Sequence, residues 1–327
     1  MPDVTLIEAI RQALDEELAR DASVILIGQD IGPRGGVFRA TRGLYEKHGP
    51  GRVIDTPLGA AALVGVAIGA ALYGFRPVCE IQFSDYIHPA LGQIVNEAAK
   101  IHYRSDGKWT VPLVLRAPYG GGVRGGLYHS QSVEAFFAHV PGLKVVVPSN
   151  PYDARGLLKA AVCDPNPVLF LEPKLGYRSI QGEMPQEDYT VPIGPARVTR
   201  TGEALSVFAY GVMHAYALQA AEAAARRGVE VEVVDLRTLY PVDEKTILAS
   251  VRKTGRALIV YEDNLTGGYG AEIAALLAEK AFAGLHAPVR RLAGPDIPAV
   301  PYNRPMQDWY MPGPGKIEAA ILELAAY

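Results

Sequence analysis

A chain of 327 residues has room for two ordinary domains. Hydrophobic residues make up 49% and charged residues 20%, the balance of a folded globular protein, and a net charge of −3 gives no argument for nucleic acid or an anionic membrane as partner. Two cysteines, Cys79 and Cys163, stand in apolar or strand-like surroundings and read as buried free thiols, not as a disulfide or a metal site.

Met1-Pro-Asp-Val leads straight into an amphipathic helix, so a signal peptide is not expected; a cytoplasmic protein, or the mature form of an imported one, is. Thr5-Leu-Ile-Glu8 reads as a capping box opening a helix to about Arg20. A strand follows at Ser23 to Gly28, then a polar, glycine-rich loop from Gln29 to Gly36. Arg52 to Ile54 reads as a strand broken by Thr56-Pro57. Leu58 to Tyr73 is apolar on every side and too short to span a bilayer, which predicts a buried helix. Arg76 to Gln82 is the next strand, and a helix is expected from about His88 to Tyr103. Val111 to Ala117 is a strand ending in the loop Pro118-Tyr-Gly-Gly-Gly-Val-Arg-Gly-Gly-Leu-Tyr-His129, with a short helix expected from Ser130 to Ala138. Strand Leu143–Val147, helix Pro151–Val162 and strand Val168–Glu172 complete the first series. Strands alternating with helices predict a parallel sheet covered by helices.

Lys174 to Pro195 has no clear periodicity and reads as a linker, which places one domain at 1–185 and a second at 186–327. The second half alternates again, from a strand at Leu205–Tyr210 to a last helix beginning at Pro314.

Gly120-x-Gly122-x-x-Gly125 matches the dinucleotide pattern formally. It lacks a helix starting inside the glycines and an acid about 20 residues further on, so a closely approached loop using unusual backbone angles is the better reading. His129, at the end of that loop beside Ser130 and Gln131, is a proton donor, acceptor or oxyanion stabiliser on its residue type, or a structural cap. Tyr86 follows a strand and is either a stacking surface for a planar ligand or core. Asp263 and Asn264 end a strand of the second half and are candidate contact residues. No zinc spacing, nucleophile elbow or P-loop is present.

Several long motifs stand in one order. They are Ile54-Asp-Thr-Pro-Leu, Arg76-Pro-Val-Cys-Glu-Ile-Gln-Phe, the run from Tyr128-His-Ser-Gln-Ser to Leu143-Lys-Val-Val, Val234-Asp-Leu-Arg-Thr-Leu-Tyr-Pro-Val-Asp and Leu265-Thr-Gly-Gly-Tyr-Gly-Ala-Glu-Ile. Together, from about Thr5 to Tyr327, they resemble the β subunit of the thiamine-diphosphate-dependent decarboxylase component of 2-oxo acid dehydrogenase complexes. The branched-chain (2-oxoisovalerate) type is nearest, with pyruvate and acetoin types close. The resemblance implies an α/β fold of two parallel-sheet domains, a transketolase-like pyrimidine-binding domain followed by a transketolase C-terminal domain. It implies two β and two α chains, with the cofactor shared between them and its diphosphate and Mg²⁺ on the α side. Docking to a lipoyl acyltransferase core is implied too. Positions matching Leu58, Gln82 and Tyr86 would surround the aminopyrimidine ring. His129 would serve proton transfer or reductive acylation of the lipoyl group. Positions matching Val111, Leu113, Val114, Ala161, Asp164 and Asn166 would hold K⁺, mostly through backbone oxygens.

Two positions depart from the pattern. The family reads Thr-Pro-Leu/Ile-x-Glu where this chain has Thr56-Pro57-Leu58-Gly59-Ala60, and relatives carry an acid where Gln29 stands. The missing glutamate contacts the pyrimidine ring and drives the proton exchange that activates the cofactor, a transfer worth roughly 10²–10⁴-fold in rate. Glu80 is the nearby acid that could replace it, and its expected place within a strand speaks against that geometry. The resemblance therefore implies a working 2-oxo acid dehydrogenase subunit, with a catalytically altered β-like chain of binding or assembly role as the alternative. A fragment of another thiamine enzyme, such as a transketolase, is a third reading.

Overall fold

The computed structural model describes residues 3–327. They form two compact units, residues up to Tyr119 with Phe136–Ile193, and Gly120–Ala135 with Gly194–Tyr327.

The first unit opens on β1 (Asp3–Thr5) and α1 (Leu6–Arg20). The capping box forms as its spacing predicts: Thr5 N–H donates to the Glu8 carboxylate at 2.9 Å and the Thr5 hydroxyl oxygen accepts Glu8 N–H. In chain order follow β2 (Val24–Gly28), α2 (Leu44–His48), β3 (Val53–Asp55), α3 (Ala60–Leu72), β4 (Arg76–Glu80), α4 (Ile101–Arg104), β5 (Val114–Tyr119), α5 (Glu134–Ala138), β6 (Lys144–Val146), α6 (Pro151–Cys163), β7 (Val168–Pro173), α7 (Gly176–Ser179) and β8 (Gln181–Glu183). Six strands run parallel in the order β6-β7-β5-β4-β2-β3. Every residue of β2, β5 and β7 is buried, as in a sheet covered on both faces. Leu6, Ile10, Ala13 and Leu14 of α1 join Leu157, Leu158 and Val162 of α6 in the core beside β2 and β7.

Four expectations need correction. Residues 174–183 are not linker: α7 and β8 occupy them, and β8 pairs antiparallel with β1, Val4 opposite Gly182. The helix expected from His88 to Tyr103 is broken into a 3₁₀ turn (His88–Ala90), a π-helical turn (Gln93–Ala98) and α4. There the Ala99 N–H reaches back to Ile94 O at 3.0 Å, and Gly142 lies so close that a Cβ on it would stand 2.1 Å from Ala99 O. In α3, Leu63, Val64, Ala67, Ile68 and Ala71 are buried, but Val66 is 62% and Tyr73 86% exposed. One sheet covers one helix face, so a helix apolar all round is only half covered by its own chain. Cys163, at the end of α6, is exposed and takes a contact from Arg20 at 3.1 Å, while Cys79 is buried.

The second unit contains β9 (Arg197–Arg200), β10 (Leu205–Ala209), α8 (Gly211–Ala225), β11 (Val231–Asp235), β12 (Thr238–Tyr240), α9 (Glu244–Thr254), β13 (Ala257–Asn264), α10 (Gly270–Lys280), β14 (Arg290–Gly294), α11 (Arg304–Tyr310) and α12 (Pro314–Ala325). Its sheet runs β14-β13-β10-β11-β9, parallel except for β9. That edge strand, Arg-Val-Thr-Arg, is too polar and short to read from its pattern. No helix among the described residues is long and apolar enough to cross a membrane.

Candidate active site

In the first unit, β3, β2 and β4 are neighbours in one parallel register, Gly28 lying opposite both Asp55 and Glu80. Their carboxyl ends therefore lie side by side, and the chain leaves them as Gln29-Asp30, Thr56 to Ala60 and Ile81 to Tyr86. This is the edge where open α/β sheets place ligands. The structure brings the sequence-predicted group together here. Gln82 Nε2 donates to Asp30 Oδ2 at 3.1 Å and to Gln29 O at 3.4 Å, so the amide is braced across the strand ends. Tyr86, in a 3₁₀ turn after β4, stands edge-on to Phe83 with ring centroids 5.6 Å apart. Phe83 in turn meets Phe38 at 5.3 Å, so the turn is held by an aromatic row. Leu58 is 72% exposed. Ala60 is the first residue of α3, whose first turn carries no acid and no side-chain cap.

At this edge Gln29 Oε1 and Thr56 Oγ1 are buried without a hydrogen-bond partner. Thr56 N–H is bound to Gly28 O at 3.0 Å, so its backbone is satisfied and its hydroxyl is not. Unpaired buried polar atoms are costly unless a ligand completes them.

Glu80 does not stand in for the missing acid. It is the buried last residue of β4, and its Oε2 takes Arg116 Nη1 at 2.6 Å. Arg116, also buried, forks onto Glu172 at 2.7 and 2.9 Å, and Tyr177 donates its hydroxyl to the same carboxylate. Burial pushes the Glu80 carboxyl above the usual range, against the pull of Arg116. The group is committed to a core ion network.

The six positions matched to a cation fall on two adjacent runs. Leu113 O accepts Val168 N–H at 2.9 Å, which sets Val111–Val114 beside the turn preceding β7. Asp164 N–H donates to Ala161 O at 3.2 Å and Asn166 N–H to Asp164 Oδ1 at 2.9 Å. Asn166 Oδ1 is buried without a partner. Among the described residues there is no cluster of three or more His, Cys, Asp or Glu side chains fit for a metal.

In the second unit the glycine-rich loop forms no dinucleotide cradle. A 3₁₀ turn at Gly126–Tyr128 ends at His129, which is half-buried, and α5 starts only at Glu134, not at Ser130 as expected. Gly120 N–H closes the loop onto Gln131 O at 3.0 Å, and Gln131 Nε2 donates to Leu127 O at 3.2 Å. Glu134 is fully buried; Tyr210 donates its hydroxyl to Oε1 at 2.8 Å, and Oε2 has no hydrogen-bond partner. Burial, with the nearby charges of Asp263 and Glu262, pushes the Glu134 carboxyl up to about 8. Burial raises Asp263 to about 6. The expectation at Asp263–Asn264 thus lands beside two further acids, Glu262 and Glu134, which the pattern reading missed. A glutamate at the carboxyl end of an apolar strand was the available signal for Glu262.

Residues 3–179 match the transketolase pyrimidine-binding domain and residues 194–317 the transketolase C-terminal domain. The chain is 54% identical to the 2-oxoisovalerate dehydrogenase subunit beta of Bacillus subtilis over 100% of both chains. It is 46% identical to the Pseudomonas aeruginosa protein of the same name, over 97% of this chain and 94% of that one. It is also 46% identical to the pyruvate dehydrogenase E1 component subunit beta of Acholeplasma laidlawii, over 99% of each. Among solved structures, a split-gene transketolase described as an inactive beta4 tetramer superposes with a TM-score of 0.80 at 23% identity, over 99% of this chain and 98% of that one, which bears on the fold alone. With both domain families matched in order and more than half its residues shared with a full-length relative, this chain belongs to the E1 β-subunit family of 2-oxo acid dehydrogenases.

Proposed function

We propose that the chain is the β subunit of an E1 component that oxidatively decarboxylates a branched-chain 2-oxo acid and passes the acyl group to a lipoyl domain. The full-length identity to a 2-oxoisovalerate dehydrogenase β subunit carries this reading, and similarity to pyruvate dehydrogenase β subunits keeps pyruvate as the comparison substrate. Its partners are an α subunit, two of each forming the heterotetramer, and a lipoyl acyltransferase core. We place it in the cytoplasm; unpaired cysteines suit a reducing compartment.

The residues present fit the cofactor implied by the family. Thiamine diphosphate supplies a thiazolium carbon nucleophile when bound. On this chain Leu58, Gln82 and Tyr86 hold the aminopyrimidine ring at the carboxyl edge of β2, β3 and β4, and the partnerless oxygens of Gln29 and Thr56 suit its amino donors. Ala60 fills the place of the activating acid and moves no proton. His129 handles the proton or the acyl transfer to the lipoyl group. Mg²⁺ belongs to the α side. K⁺ is held by Val111, Leu113, Val114, Ala161, Asp164 and Asn166, for which the partnerless Asn166 Oδ1 is the supporting feature.

The test is co-expression with the α chain and a decarboxylation assay on 2-oxoisovalerate and pyruvate with an artificial electron acceptor. The natural chain should turn over slowly, and Ala60→Glu should raise the rate by roughly 10²–10⁴-fold. Fast turnover without the substitution, or no gain with it, refutes the assignment of Ala60. A preference for pyruvate refutes the branched-chain assignment.

A further inference from the structure

We propose that Glu262 and Gln307 are positioning residues for His129, clamping by its backbone N–H groups the glycine-rich loop that carries it. The inference rests on the reading of His129 above and adds how that histidine is placed.

The loop alternates handedness: φ is +89° at Gly120, +85° at Gly122, +55° at Arg124 and +65° at Gly126. Such alternation turns neighbouring N–H groups into one concave face, a shape that elsewhere receives an anion or carbonyl oxygen. Here the oxygens come from the chain itself. Gly121 N–H donates to Glu262 Oε2 at 2.9 Å. With its amide oriented so that the oxygen faces the donors, Gln307 accepts Gly122 N–H at 3.0 Å and Arg124 N–H at 3.2 Å. Both acceptors are buried, Glu262 in β13 and Gln307 in α11. The fit excludes side chains at the contact: a Cβ on Gly120 would stand 2.5 Å from Glu262 Oε2, and one on Gly121 would stand 2.9 Å from Met311 Sδ. At the far end of the loop a Cβ on Gly125 would stand 2.6 Å from His129 O, so the loop packs on the residue it presents. This is why Gly-x-Gly-x-x-Gly occurs here without a nucleotide. The glycines admit the protein's own carboxylate and amide.

Hydrogen–deuterium exchange of the α–β assembly reads the clamp directly. Gln307→Leu, which keeps bulk and removes the acceptor, should speed exchange of the 120–129 peptide by about tenfold, as should Glu262→Ala; Gln307→Glu and Glu262→Gln, which keep an acceptor oxygen, should not. Kinetics are read in whichever of the natural chain and its Ala60→Glu variant turns over faster. Gln307→Leu should lower acyl transfer to a lipoyl domain by about 10–100-fold and decarboxylation with an artificial acceptor far less, with Gln307→Glu restoring transfer. Unchanged exchange in Gln307→Leu overturns the clamp. Faster exchange with unchanged transfer, while His129→Ala abolishes transfer, overturns the positioning role. If His129→Ala leaves transfer intact, the reading of His129 fails, and the exchange result decides the clamp by itself. Should Glu262→Ala fail to assemble, the Gln307 pair carries the test.

Discussion

Each unit buries a cluster of carboxylates, and the two are built on opposite terms. In the first unit Glu80 and Glu172 share the Arg116 guanidinium, with bonds of 2.6 to 2.9 Å and a tyrosine hydroxyl added. In the second unit Glu134 lies near the charges of Asp263 and Glu262, and what Glu134 and Glu262 receive in the contacts described above is a hydroxyl and a backbone N–H. The first cluster is a fixed structural tie beneath the strand ends. The second leaves Glu134 and Asp263 titrating near neutral pH, Glu134 a few residues beyond the loop that carries His129. Burial alone does not make an acid functional; the identity of its neighbours decides whether it is locked or left to change charge.

The comparison breaks most sharply at Arg116. Arg116→Met should cost about 3–5 kcal/mol in denaturant unfolding, because it leaves two buried carboxylates facing each other. Adding Glu80→Gln and Glu172→Gln to it should recover much of that loss, since a neutral core of similar volume has no charge to compensate. No recovery would mean that Arg116 acts through packing and not through charge.

A smaller effect is expected at Glu134, and its sign follows from proton binding. Folded Glu134 titrates at about 8 against 4.5 for the ordinary group, so between these values the native state binds more protons than the unfolded one. The stability from this group is complete below pH 4.5 and is lost as pH rises through 8. The melting temperature should fall across that window, and Glu134→Gln should flatten the slope. A profile equally steep in the variant would remove Glu134 as its source.

The smallest effect belongs to Asp263. Its folded value of about 6 against 3.8 confines its contribution to the acid side of the same curve, again favouring the folded state at low pH. Asp263→Asn should flatten the limb below about pH 6, because the amide takes up no proton there. It should also lower the titration of Glu134 by removing a like charge, which a shift of the Glu134 limb to lower pH would reveal.

Much of this protein is determined along the chain itself. The apolar runs of β2, β5 and β7, the Thr5–Glu8 cap and the turns that separate strands from helices are local patterns of period, cap and breaker. They give two α/β series and place Gln29, Thr56, Gln82 and Tyr86 at strand ends. The motif order, read against a known family, carries the assignment further. What only tertiary structure decides is which distant groups meet. Glu80 is the acid that the sequence offers for the gap at Ala60, and the fold ties it to Arg116 on the neighbouring strand. The helix at Ala60–Leu72 is apolar all round, yet its own sheet covers a single face. Gly121, Gly122 and Arg124 read as permissive backbone; the acceptors of their N–H groups, Glu262 and Gln307, lie more than 130 residues away. Hydrogen bonds and ion pairs act over a few ångströms in space, and no local period records which side chains the folded chain will bring within that reach.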